Sequence, residues 1–89
     1  MKYRIHEIEN IKNSRVYLSQ INEIILLTNS EGSARYYGIK VIDYMFKTLK
    51  NEFSYKINSI IINVYNDRAA LITARELGYK KIIFNNETF

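Results

Sequence analysis

The 89-residue chain contains no cysteine. A disulfide framework, a thiolate zinc site and a cysteine nucleophile are therefore excluded. Such a chain suits a reducing cytoplasm, which is the expected compartment. Tryptophan is absent and glycine occurs three times, so the chain does not read as a linker or a low-complexity segment. One histidine, His6, and scattered carboxylates are too few for a metal constellation, and no metal is expected. On a half-exposed strand, His6 reads as a solvated residue before a catalytic one. No apolar run approaches the roughly 20 residues that a membrane helix needs. The opening MKYRIHEIEN breaks its apolar residues with charge and does not read as a signal peptide. No membrane partner is expected.

What the chain does contain is isoleucine and tyrosine in quantity, and a net charge of +4 at pH 7. The basic residues run from Lys2 to Lys81 without forming a block. That argues against a dedicated nucleic-acid arm; the charge reads first as a mildly basic surface and, more sharply, as attraction to an anionic ligand. The length fits one domain spanning residues 1–89.

In chain order, Tyr3 and Ile5 alternate with Arg4 and His6, which predicts a strand within 2–11. Asn10, Asn13 and Ser14 signal a turn. Val16 and Leu18 predict a second short strand over 15–20. The run EIILLT at 23–28 predicts a third, buried on both faces. These three read as an antiparallel meander. A Ser/Gly/Arg loop follows at 29–37, with Ser33 as a candidate helix cap. Ile42, Met45, Phe46, Leu49 and Phe53 fall at spacings of three and four, predicting a long amphipathic helix from about Gly38. Asp43 and Lys47 form an i,i+4 pair away from that stripe.

Residues 56–65 (KINSIIINVY) are the most β-prone segment. Ile60, Ile62 and Val64 are assigned to one face, Ile57 and Ile61 to the other. Asn66 and Asp67 open a helix over 68–77 that buries Ala70, Leu71, Ala74 and Leu77. Gly78 can take the left-handed conformation that ends it. A last strand runs over 80–85, and the tail after it is expected to fray. The expected fold is α/β (α+β), a mixed sheet in the order β-β-β-α-β-α-β. The strands 23–28 and 57–64 form a parallel central pair across a βαβ crossover.

Two motifs carry a family resemblance. Arg35-Tyr36-Tyr37-Gly38-Ile39-Lys40 is similar to an R/Q-x-x-G-x-G/A loop before a helix. IIINVYNDRAALITARELGYKKI is similar to a strand, an Asn-centred turn, and a helix ending in a Gly-aromatic pair. In this order the two resemble the GNAT superfamily of acetyl-CoA-dependent N-acetyltransferases, over about residues 21–84.

The resemblance implies an acyl-CoA-binding domain with acetyl-CoA or coenzyme A as cofactor. It implies acetyl transfer to the amine of a small molecule or protein. Arg35, Tyr36, Tyr37, Gly38, Ile39 and Lys40 would form the pyrophosphate loop, with N–H groups from about Tyr36 to Lys40 turned to the phosphates. Asn66 or Asp67 would bond the pantetheine arm, which in the family lies between splayed central strands. Lys40 departs from the small residue that usually ends the loop. Ala74 stands where many members place a tyrosine acid. The chain is also shorter than most members, and the part it lacks is the one that builds the acceptor side. The carboxylates Glu7, Glu9 and Glu23 are not singled out as a base, so the catalytic residues stay unassigned.

Two other readings part from this one. A catalytically inactive GNAT remnant would serve as an oligomerisation or interaction module, a homodimer among its forms. A basic nucleic-acid-binding domain, the least supported, would use Arg35, Tyr36, Tyr37 and Lys40 as a stacking and phosphate patch.

Overall fold

The computed structural model describes residues 3–88. In order, the chain forms β1 (Arg4–Ile8), α1 (Ile11–Gln20), β2 (Ile25–Asn29), α2 (Glu31–Tyr37) and α3 (Ile39–Glu52). It continues through β3 (Ile57–Ile60), β4 (Ile62–Tyr65), α4 (Arg68–Glu76), β5 (Ile82–Phe84) and β6 (Glu87–Thr88). The fold is α+β, with both parallel and antiparallel strand pairs. The expected parallel pairing of 23–28 with 57–64 is present in its first half: β2 runs parallel to β3, whereas β4 pairs with β5 in a second sheet.

The order β-β-β-α-β-α-β is corrected at the N-terminal end. There is no antiparallel meander. Residues 15–20 lie in helix α1, and β1 pairs with β2 in parallel, Ile5 opposite Leu26. Asn10 caps α1, its side chain accepting from Asn13 N–H at 2.8 Å. The buried positions Ser14 and Leu18 are four apart, with Ile11, Tyr17 and Ile21 packed beside them. This is a helical stripe. The alternation of Val16 with Leu18 is an accident of it, and Val16 is exposed. His6 is not simply solvated. Its ring stacks on Tyr17 at 4.2 Å, and Nε2 lies 3.1 Å from the buried Ser14 hydroxyl.

The segment 29–37 is helix rather than loop. Ser30 caps α2, accepting from Ser33 N–H, so Ser33 is not the start of the long helix. That helix, α3, begins after Gly38 and buries Ile42, Met45, Phe46 and Leu49 as its spacing predicts. Asp43 is buried too, contrary to its expected outward placement. It accepts from the Tyr79 hydroxyl at 2.6 Å and pairs with Lys47 at 3.0 Å. Burial and the adjacent carboxylate push the Tyr79 phenol far above its ordinary value, so it stays a donor.

The run 57–65 is two strands in succession. Ile57, Ile62 and Val64 all enter the core, so the expected division of its faces is revised. Their cluster includes Ile8, Ile25 and Leu27 from the neighbouring strands, Phe46 from α3 and Ala74 from α4. The strands form two three-stranded sheets, β1-β2-β3 and β4-β5-β6, in place of the single mixed sheet expected, and α1, α3 and α4 touch in series along the shared core. The alternate residues, such as Ile5, lie outside the cluster.

Helix α4 ends as its sequence indicates. Gly78 takes φ +94°, its N–H bonds Arg75 O, and Tyr79 N–H reaches back to Ala74 O. This is the double bond pattern of a Schellman cap. The tail does not simply fray. Glu87 and Thr88 pair with β5 as an antiparallel strand, while Phe89 lies outside the described residues.

Candidate functional site

The site begins where the central strands part. Main-chain pairing of β2 with its neighbour continues as far as Ile61, whose N–H donates to Leu27 O at 2.8 Å. Two residues later the neighbour is gone. Asn63 N–H donates instead to Asn29 Oδ1, and Asn29 Nδ2 donates to Asn63 O, both at 2.8 Å. The side-chain amide of Asn29 stands in for a strand, and Asn29 is itself fully buried. Tyr65 then adopts φ +55°, and its hydroxyl donates to Asn29 O at 3.3 Å. A β-prone aromatic residue at positive φ is uncommon and concentrates at functional turns.

Beyond this point a cleft of about 560 Å³ lies between the α2–α3 junction and the first turns of α4. That volume is within the ~300–1,000 Å³ typical of small-molecule sites. The cleft lies past the carboxyl end of β4, the usual ligand position beside parallel strands. Six of the residues singled out from sequence line it: Arg35, Gly38, Ile39, Lys40, Asn66 and Asp67. Tyr36 and Tyr37 do not. Tyr36 is 82% exposed, and Tyr37 packs against the core with the two rings edge-on at 4.8 Å.

The cleft carries donors and positive charge. Gly38 adopts φ +82°, ψ 163° and joins α2 to α3 with no side-chain cap on α3. Only glycine occupies that region readily. A Cβ there would meet nothing within 4 Å, so conformation and not crowding sets the requirement. The N–H groups expected to serve an anion are fewer than 36–40. Tyr36 and Tyr37 lie inside α2, and Gly38 N–H is bonded to Ala34 O. Ile39, Lys40 and Val41 precede the first intrahelical bond of α3, Ile42 N–H to Gly38 O. They supply the unpaired donors of a helix start, where an anion is favoured. Lys40 makes no ion pair among the described residues, while Arg35 holds Glu31 at 2.7 Å. Asp67 caps α4, accepting from Ala70 N–H at 3.1 Å.

The residues that sequence reasoning passed over are Tyr65 and a set of small ones. Ala34, Ala69, Ala70 and Thr73 leave the space between α2 and α4. Their signal was available as small residues at helical spacing. No local signal marks Tyr65. Burial, then the charges of Glu7 and Glu31, raises its phenol above the ordinary value and keeps it protonated. Among the described residues, no group of three or more His, Asp or Glu could hold a metal ion. No described helix is long and apolar enough to cross a membrane.

Comparison with known proteins adds a relative. The chain is 48% identical over 81 residues to the uncharacterized protein RP547 of Rickettsia prowazekii (strain Madrid E). The match covers 91% of this chain and 76% of that protein. The chain belongs to the same family. No family model matches it. No solved structure matches it either.

Proposed function

We propose that the cleft between α3 and α4 binds an acyl-CoA and that the chain is a GNAT-like N-acetyltransferase toward an amine. One observation carries the reading. Two sequence stretches some 25 residues apart, named from their motifs, meet across one cleft at the free N-terminus of α3. Lys40 supplies unpaired positive charge for a pyrophosphate, Arg35 joins it by leaving Glu31, and the Ile39–Val41 amides supply fixed donors. Asn66 and Asp67 stand on the opposite wall. In the reaction the amine nitrogen attacks the thioester carbon. A C–N bond forms, the C–S bond breaks, and the thiolate departs as the amine proton is lost.

The test is calorimetric titration and thermal melting with coenzyme A and acetyl-CoA. Ligand at 100 times its Kd adds about 2.7 kcal/mol to stability by mass action. A melting temperature unchanged by millimolar coenzyme A overturns the reading. Release of free thiol from acetyl-CoA across a panel of primary amines then reads the transfer.

A second reading keeps binding or folding without chemistry. The sheet face opposite the helices leaves Ile5 57% exposed, a surface that a second copy of the chain could cover. Sedimentation separates the two, since a dimer without thiol release supports the interaction module.

A further inference from the structure

The strand gap in which the family resemblance would place the pantetheine arm is filled from within. The Asn29 carboxamide bonds both the N–H and the C=O of Asn63, and the Tyr65 hydroxyl closes the same seam onto Asn29 O. An arm entering there would break three hydrogen bonds, two of them at 2.8 Å, before making any of its own. Asn29 is 1% exposed, so no solvent path prepares the way.

A second cavity of about 290 Å³ offers another route. It shares Arg35, Tyr65 and Asn66 with the first, and its remaining walls are Glu31, Asn85 and Asn86. The two cavities therefore adjoin around Tyr65. Asn85 and Asn86, at φ 52° and 63°, make the two-residue turn between β5 and β6, where Phe84 pairs with Glu87. Such a turn demands positive φ at both positions, which glycine or aspartate would also satisfy. Asparagine adds something the turn does not need. Three carboxamides line this one cavity, each with donors and an acceptor. That set matches a flexible chain bearing secondary amides and gives no advantage to an apolar one.

We propose that the amide-bearing arm of an acyl-CoA held by its phosphates in the first cavity passes over Tyr65 into the second. It does not thread between β2 and β4. The inference rests on the cofactor reading above, and the experiment separates their failures. Coenzyme A and adenosine 3′-phosphate 5′-diphosphate, which keeps the pyrophosphate and the 3′-phosphate and lacks the arm, are titrated into the full chain. Wild type binds coenzyme A more tightly. The double variant Asn85→Gly, Asn86→Gly keeps the turn's backbone and loses its amides. It is expected to weaken coenzyme A about tenfold, the worth of one or two net hydrogen bonds, and to leave adenosine 3′-phosphate 5′-diphosphate unchanged.

Equal affinity of wild type for both ligands, equal losses for both in the variant, or no loss for coenzyme A each overturn the arm's path while leaving the head site standing. Binding of neither ligand by wild type overturns the cofactor reading and this inference with it. Amide NMR of wild type gives a readout independent of any variant. Shifts specific to coenzyme A over adenosine 3′-phosphate 5′-diphosphate are expected at Tyr65, Asn85 and Asn86. Shifts at Leu27, Asn29 and Asn63 instead would place the arm in the seam.

Discussion

The two halves of the run from Ile57 to Tyr65 are similar in composition and differ in role. The first half, β3, is held to β2 by main-chain hydrogen bonds. The second half, β4, makes no main-chain ladder with β2 and is hydrogen-bonded to it through the Asn29 amide and the Tyr65 hydroxyl. Where the ladder is main chain to main chain, strand spacing is fixed and no cleft can open beside it. Where one side chain replaces a strand's worth of pairing, the elements above can separate. The cleft, the positive-φ Tyr65 and the uncapped α3 all lie at that end. The structural half thus depends on apolar burial, and the open half on a few polar contacts.

That contrast can be tested in order of effect. Ile57→Ala removes a side chain 2% exposed in the structural half. It is expected to cost about 2–5 kcal/mol in urea unfolding, with ligand affinity unchanged in the folded fraction. Asn29→Ala strands both polar groups of Asn63 at the seam and is expected to cost about 2–4 kcal/mol. Asn29→Asp keeps the acceptor but loses the donor and buries a carboxyl oxygen against Asn63 O, so at neutral pH its cost should at least match that of Asn29→Ala. An Asn29→Ala protein as stable as wild type would show that water can take over the seam, and the contrast between the halves would fail.

A smaller change is expected at Gly38. Gly38→Ala forces a Cβ into a backbone region that glycine alone tolerates, at about 1–3 kcal/mol. Because the site is uncrowded, the loss should appear as loosening of the α2–α3 junction, read as faster hydrogen exchange at Ile39 to Val41.

The smallest effect concerns pH. Burial lowers the His6 pKa from 6.5 against a weaker opposing pull from Glu7. The folded state therefore disfavours the charged ring. This contribution to stability is complete above about pH 6.5 and is lost as pH falls below it. The melting temperature should decline between pH 7 and pH 5. His6→Phe, which keeps a flat ring against Tyr17, should flatten that decline.

Several elements were legible in the sequence. The stripe Ile42, Met45, Phe46, Leu49 defines α3, and Asp67 with Gly78 brackets α4, because caps and helical periodicity are local properties. Residues from both stretches singled out in the sequence, Arg35 to Lys40 and Asn66 to Asp67, line one cleft, although Tyr36 and Tyr37 do not. Helix α1 was hidden because its stripe includes a buried serine and two neighbours that mimic strand alternation. Helix α2 was hidden because it is seven residues long and contains Gly32, so its periodicity has too few turns to show.

By itself, the sequence determined helices α3 and α4, the Asp67 and Gly78 caps of α4, and the absence of thiol chemistry. Only the tertiary structure decided strand direction, the depth at which Asp43 sits, and the junction of Asn29 with Asn63. Strand direction depends on which elements share a sheet edge, and α1 makes β1 and β2 parallel by carrying the chain back to its starting end. The Asn29–Asn63 contact spans 34 residues. It exists because β2 and β4 separate by about the reach of one carboxamide, a distance set by the packing of α3 and α4 and by no pattern along the chain.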